Sequence, residues 1–548
     1  MKSFTALVGI VLFILALVFS LDLFLFPGRS ITFDAHIHMT TFSQFAQALQ
    51  DGEFPVRWAD NFANYGLPLP LFAHQTTSYA GAVLTLLLGN PVLAYNLLVF
   101  LGALLSTTLF YKFLRNSVQP WPALLGTALF AVAPYRIVNV YIRGALPEFI
   151  SLIFVPWILI GVHQALVQKR WLGLVNVGVA TALLALTHPM LLLISCVVII
   201  PYTLFTAWPW VKNWKPLVAV GGVAALGVAA ASSYILPLLY DIRYTNYGSA
   251  GPEFSNNASL GFSQVFGESW SYFGPTHPGP RSVPLIPGVP EMAIFLFAVL
   301  VAAWLLVRHK QQAKPFLLWS GIGFLALLLL LPASALLYEY VPFLGKIQFP
   351  WRMLSAFLIV PPILFALLID RFRAAWVGLI IISAVLLWRI PQLYGKNYLD
   401  YDLQNYAFTT ANLHTNNMST LWMGDPTEYP VQTEKLQVVS GEANIEVLSR
   451  KNASREYRVT ASAPTRLVEY TFYFPGWTVY VDGQPVPVEF QDPEYRGVMT
   501  FEVPAGEHTV SVRFEDTKIR QLGMVLSGVS LLGGVVWILG ARRFLKLK

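Results

Sequence analysis

The chain has 548 residues, of which 55% are hydrophobic and only 12% charged. About a quarter of a soluble globular chain is charged, so this composition excludes a soluble enzyme, and an aromatic content of 14% excludes a disordered chain. The formal net charge is +7, and the single cysteine, Cys196, leaves no intrachain disulfide, Cys-based zinc site or iron–sulfur cluster.

A bilayer core of roughly 30 Å takes about 20 apolar residues in a helix. Twelve apolar runs are long enough to cross, some with tilt: 4–26, 92–113, 121–137, 146–168, 172–187, 188–208, 216–239, 290–307, 315–337, 351–369, 374–389 and 520–540. The first run has the Lys2 flank of a signal peptide, but it continues through Phe26 with no small-residue cleavage site, so it reads as a retained helix. Residues 27–90 form a polar first outer loop, and 76–89 within it read as a helix at the interface or re-entering. Residues 240–289 form a second loop rich in Gly, Pro and Ser.

With the N-terminus in the cytoplasm, 16 of the 36 basic residues fall on short inner loops beside one acid, Asp370. The other 28 of the 29 acids fall outside. The positive-inside rule therefore accounts for the basic balance, and nucleic acid is not a partner.

Residues 391–519 change character. Alternation in Glu456-Tyr457-Arg458-Val459-Thr460 and in His508–Arg513, with turns at Phe474-Pro475-Gly476-Trp477 and Pro504-Ala505-Gly506, predicts an antiparallel β-sandwich. Val479–Gln484 reads as a hairpin across Asp482-Gly483. The expected fold class is thus mainly α: a polytopic membrane protein of about twelve transmembrane helices with an extracytoplasmic antiparallel β-sandwich. The expected domains are 1–390 in the membrane, 391–519 outside, and 520–548 as a last helix with a basic cytoplasmic tail.

No P-loop and no dinucleotide fingerprint is present, and the inner loops are too short for a nucleotide site. Chemistry is therefore expected at the outer face. Asp34-x-His36-x-His38 places a carboxylate and two imidazoles where the chain leaves the first helix. Asp34 and His38 share a helical face. Such a group serves as a general base or holds a divalent cation, and otherwise it is a polar interfacial loop. Charged groups also gather at outer helix ends: Arg136 and Asn139, Arg143 and Glu148, His188, Asp241 and Arg243, and Tyr338, Glu339, Lys346 and Arg352. Arginine at this depth suits a phosphate or pyrophosphate, and structural ion pairs are the plainer alternative. Tyr473, Trp477 and Tyr480 either stack on sugars or fill the sandwich core.

Together these features resemble the GT-C class of membrane glycosyltransferases. More closely, the chain resembles bacterial membrane proteins labelled 6-pyruvoyl-tetrahydropterin synthase-related, and the YfhO-type membrane proteins. The segments that carry this are Asp34…His38; Phe54-Pro-Val-Arg57-Trp58 with Tyr65-Gly66-Leu-Pro68; Arg143-Gly-Ala-Leu-Pro-Glu148; Thr187-His188; Phe349-Pro-Trp-Arg352; and Phe474-Pro-Gly-Trp477 with Val481-Asp-Gly483. The resemblance implies transfer of a sugar from a polyprenyl-phosphate carrier to an extracytoplasmic acceptor glycan, lipid or protein at the bacterial cytoplasmic membrane. It implies no pterin chemistry. Under it Asp34 is the catalytic acidic residue that would serve as the base, with His38 beside it. Arg143, Arg352 and Arg57 hold the donor phosphate. His36, Asp60, Glu148, His188 and Tyr338 line the pocket. Asp34, His36 and His38 are the metal set, for a divalent cation (Mg or Mn) if one is used. The chain departs from some members in lacking an adjacent Asp-Glu pair in the first loop.

The rivals are a transporter or flippase for a lipid-linked glycan, which would place polar groups at the midplane in broken helices, and a non-catalytic envelope scaffold. The polar groups here collect at one face instead, which favours the transferase.

Overall fold

The computed structural model describes residues 2–26, 28–60, 62–208, 214–246, 287–341, 349–394, 419–424 and 432–544, with residues 269–270, 283–284, 344–345, 347, 398–399 and 429–430 between them. Each of the twelve apolar runs is helical, but they are not equivalent. Among the described residues, seven helices are long and apolar enough to cross a membrane, and ten if each of three bent pairs is one span. The helices Phe4–Ser20 and Leu172–Thr187 are shorter. The helix Gln75–Leu88 has 14 residues, about 21 Å at 1.5 Å per residue, and so falls short of a full crossing.

The bends have local causes. Pro134 lacks the amide that would continue Pro120–Ala131, and the chain turns by 45° into Pro134–Ile142. Lys215–Ala230 and Ser232–Tyr244 meet at 63°. There the Ser233 amide donates to Ser527 Oγ of the last helix at 2.8 Å. Gly523 permits that approach, since a Cβ would lie 2.7 Å from the Ser232 carbonyl oxygen. Lys310–Leu328 and Pro332–Tyr340 meet at 87°, where Tyr338 Oη donates to the Leu329 carbonyl at 2.9 Å. In each of the last two cases a side chain satisfies backbone that the break exposes, as a membrane interior demands.

The β-domain comprises two antiparallel sheets. One has five strands in the order Gln484–Val486, Trp477–Val481, Gly506–Phe514, Ser454–Ala461 and Ala443–Lys451. The other has three: Val498–Val503, Thr465–Phe472 and Leu436–Ser440. The expected hairpin forms, with Asp482 at φ 50° and Gly483 at φ 78°, the left-handed pair that a two-residue turn requires. Buried residues of both sheets share one core, which includes Leu436, Tyr457, Leu467, Val479, Phe501 and Val510.

That core does not belong to residues 391–519 alone. Trp58, Leu71 and Phe72, from the loop that follows helix Ala35–Gln50, are part of it. Trp58 is fully buried, with its ring edge-on to Trp477 at 5.2 Å. Tyr65 stacks on Phe472 at 4.9 Å. Gly66, at φ +79°, lies so close under Trp58 that a Cβ would come within 2.3 Å of Nε1. Charges complete the joint. Asp60 pairs with Arg450 at 3.1 Å and with Arg455, whose Nε also lies 3.4 Å from Glu469. Asn452, in the turn between two strands, donates to the Trp58 carbonyl at 2.9 Å and accepts from the Asp60 amide. Burial alone would raise the Asp60 pKa, but Arg455, Lys435 and Arg450 outweigh it and hold the carboxyl below its usual range.

A second joint ties the β-domain to the membrane helices. Arg520 is fully buried, pairs with Asp241 at 2.8 Å and donates to the Pro475 carbonyl at 2.8 Å. Gly476, at φ +125°, makes room, because a Cβ would meet Arg520 Nη1 at 2.8 Å.

Removing one partner from a buried ionic cluster costs about 3–5 kcal/mol, whereas an exposed pair contributes about 0–1 kcal/mol. Arg455→Met is therefore expected to lower the thermal midpoint strongly and expose loop 51–72 to protease. Arg458→Met, which removes an exposed pair with Glu446, should leave both unchanged. Differential scanning and limited proteolysis in nanodiscs check the pair.

Candidate active site

The site begins at the break after Ile142. A π-helical turn, Val138–Ile142, ends at Arg143, and Gly144 adopts φ +67°. A Cβ on Gly144 would lie 2.4 Å from Thr32 Oγ1 and 2.6 Å from the Ala35 nitrogen. The glycine thus lets this turn press against the start of helix Ala35–Gln50. The Asp34 amide donates to the Arg143 carbonyl at 2.8 Å. Thr32 Oγ1, not the Asp34 carboxylate, accepts from the Ala35 amide. Asp34 is therefore positioned by its backbone, and its side chain takes no part in capping.

Glu148 is the hub. Its carboxylate is buried and accepts from Arg143 at 2.8 Å, Tyr135 Oη at 2.6 Å and Ser355 Oγ at 2.9 Å. Arg352 Nε stands 3.9 Å away, held by charge but not hydrogen-bonded, and this nitrogen has no hydrogen-bond partner. Arg143 also donates to Asn139 Oδ1 at 2.6 Å and lies over the Trp351 ring at 4.5 Å. The Arg143 bonds all leave from Nη1, whereas Arg352 Nε has none.

Asp34 feels this cluster. Burial pushes its carboxyl above the usual carboxylate range, against the pull of Arg143 and Arg352 and with Glu148 adding to the rise. Tyr95 Oη, buried nearby on Pro91–Leu114, has no hydrogen-bond partner. His38 follows one turn after Asp34. Its ring lies 6.4 Å from that of His74, which stacks on His188 at 4.7 Å. His188 Nδ1 accepts from the Leu191 amide at 3.1 Å, which puts the proton on Nε2.

The expected site residues thus divide. Asp34, His38, Arg143, Glu148, His188 and Arg352 come together. Arg57 and Asp60 do not. Arg57 pairs with Asp516 at 3.1 Å and donates to the Ser233 carbonyl, and Asp60 is spent on Arg450 and Arg455. Both are engaged at the loop–sandwich joint instead. The Tyr338 hydroxyl supports a helix bend. Lys346 lies outside the described residues. The proposed metal set is not assembled: His36 points some 200° around the helix from Asp34 at about 100° per residue. Among the described residues, no three His, Cys, Asp or Glu side chains are placed to hold a metal. Trp477 is a core residue and Tyr473 is covered by Phe490 at 3.7 Å, so neither is open to a sugar.

Sequence reasoning missed Tyr135, Ser355, Trp351 and His74. The signal for His74 was a histidine immediately before a short apolar helix. Arg136 is buried too, but apart from this cluster. It has no carboxylate, lies over Phe130 at 4.4 Å and Phe149 at 4.9 Å, and bonds only Ser106 Oγ.

Glu148→Gln is expected to cost about 3–5 kcal/mol, because it strands two guanidinium groups. Arg136→Met should be neutral or stabilising, since it replaces a buried charge that has no acid. Thermal unfolding of both variants in nanodiscs distinguishes the two buried arginine environments.

Residues 77–393, more than half of the chain, match the family model described as "6-pyruvoyl-tetrahydropterin synthase related domain; membrane protein". The match takes in Arg143, Glu148, His188 and Arg352; Asp34, His38 and His74 precede it and the β-sandwich follows it. No curated protein matches the chain. Among solved structures, the chain is similar to the Archaeoglobus fulgidus oligosaccharyltransferase in its apo form, at 13% identity and a TM-score of 0.41, over 77% of this chain and 61% of that one. It is also similar to the arabinofuranosyltransferase AftD from Mycobacteria, at 15% identity and a TM-score of 0.43, over 73% of this chain and 28% of that one. The chain therefore spans less than two thirds of either protein.

Proposed function

Taking as premise that this chain belongs to the 6-pyruvoyl-tetrahydropterin synthase related family of membrane proteins, we propose that it is a membrane glycosyltransferase. In this reading it moves a sugar from a polyprenyl-phosphate carrier to a hydroxyl on an extracytoplasmic glycan, lipid or protein, at the bacterial cytoplasmic membrane. One observation carries the reading. An acid without a capping role, Asp34, stands beside a guanidinium with an unused donor, Arg352, at the outer ends of their helices.

That pair suits displacement at an anomeric carbon. The acceptor oxygen bonds to the carbon as the bond from carbon to phosphate oxygen breaks. The hydroxyl proton passes to Asp34, whose burial raises its proton affinity. The phosphate leaves with its electron pair, and Arg352 stabilises the added charge. Arg143, tied through Nη1 to Glu148, Tyr135 and Asn139, is a positioning residue that sets the Asp34 backbone and the local field. His38 lines the same face. No step is assigned to a metal.

The three bent helix pairs favour a second reading, transport of a lipid-linked glycan, because broken helices build such sites.

Purified protein in nanodiscs with radiolabelled polyprenyl-phosphate sugars tests both. Release of sugar from the carrier should fall by about 10²-fold or more in Asp34→Asn and by about 10²-fold in Arg352→Gln. Flipping of the carrier without release would instead establish the transporter. The acidic limb of the rate profile should lie above the ordinary aspartate value of about 3.9, with activity lost as pH falls through the raised Asp34 value. A limb at or below that value would remove Asp34 as the base. Parallel reactions with EDTA test for a cation.

A further inference from the structure

Three imidazoles from three separate segments meet beside Asp34 and Arg352, and the transfer step above uses none of them. His38 comes from helix Ala35–Gln50, His74 from the turn before Gln75–Leu88, and His188 from the junction of Leu172–Thr187 with Pro189–Ala207. Their rings are 6.4 Å and 4.7 Å apart, and the second pair is stacked at 22°. A stack of that kind does not aim ring nitrogens at a common point, so the group is a wall and not a chelate.

The wall is neutral. Burial, with His74 and His36 adding to it, lowers His38 to about 3; burial and the nearby Arg352 lower His74 to about 4. A neutral imidazole has one donor and one acceptor nitrogen. His188 has used its acceptor on the Leu191 amide. His74 Nδ1 is buried with no hydrogen-bond partner, a costly state for an acceptor. What it lacks is a donor, and a sugar hydroxyl would supply one.

A sugar attached to the leaving phosphate must lie between the acid that takes the acceptor proton and the cation that takes the phosphate. Beside that space stand Arg143 and Arg352, and Glu148 is consumed by Arg143, Tyr135 and Ser355. A cationic amine on the sugar would meet repulsion without a free acid other than the base itself.

We propose that His38, His74 and His188 are the sugar-recognition face of this site, that His74 Nδ1 accepts from a ring hydroxyl, and that the donor sugar is neutral and hydroxylated and bears no free amine. This rests on the glycosyltransferase reading and adds the substrate class to it.

The test measures binding to the full-length protein in nanodiscs with three probes: a short-chain polyprenyl phosphate alone, the same carrier loaded with each of a panel of neutral hexoses and pentoses, and the carrier loaded with a free-amine hexose. The parent should prefer one neutral sugar-loaded carrier over the bare carrier by about tenfold or more, and the amine form should bind no better than the bare carrier. His74→Phe should abolish the preference while bare-carrier affinity stays at the parent value. His74→Leu, which likewise leaves no acceptor, carries the same test if His74→Phe does not fold. Arg352→Gln should weaken all three probes alike. A preference that survives both His74 variants, or an amine form bound as well as the neutral one, overturns the inference and leaves the transferase reading standing. A parent protein that binds no carrier overturns both.

Discussion

Glu148 is the carboxylate on which the site depends. It is buried among membrane helices, where an isolated charge is very costly. Two of its three hydrogen bonds come from the preceding segment, from Arg143 and Tyr135, and the third from Ser355, 207 residues away. The consequences run outward from it. Arg143 is fixed, so its carbonyl is fixed, and that carbonyl receives the Asp34 amide. Gly144 then packs against the start of helix Ala35–Gln50. Asp34 needs no side-chain contact to be placed, and its carboxylate stays available.

The same Glu148 separates the two arginines in role. One guanidinium can be satisfied by direct hydrogen bonds to it, and Arg143 has that place. Arg352 is left at 3.9 Å with a donor to spare. Arg143 is thereby tied directly to the acid, and Arg352 is left with an unpaired Nε. Arg136, also buried but facing phenyl rings, shows that depth alone does not assign such a role.

The β-domain braces the loop between Gln50 and His74. Its core is completed by Trp58, Leu71 and Phe72 of that loop. Its ionic cluster is completed by Asp60. The loop so held runs directly into His74, and its other end leaves helix Ala35–Gln50 with Asp34 and His38. Arg520 then fastens the sandwich to the last helix and to Asp241. Loop, sandwich and membrane helices are thus one mechanical unit around the imidazole wall.

Hydropathy located every apolar helix, because burial in lipid is a property of consecutive residues and needs no partner to be visible. The Asp482-Gly483 turn was equally legible, since it acts through a residue's own backbone, whereas the break at Pro134 fell inside a run read as one span. Arg143 and Glu148 could be paired because five residues separate them. The readings that changed all involve polar side chains with distant partners. Arg57 and Asp60 look like Arg143 and Glu148 in sequence, yet Asp516, Arg450 and Arg455, hundreds of residues away, claim them. His74 carried no local mark of its neighbours His38 and His188. What the sequence determined was which segments leave water and where the backbone must turn. Which charges meet was decided only when the segments packed, because a charge is satisfied by proximity in space, and separation along the chain does not encode that.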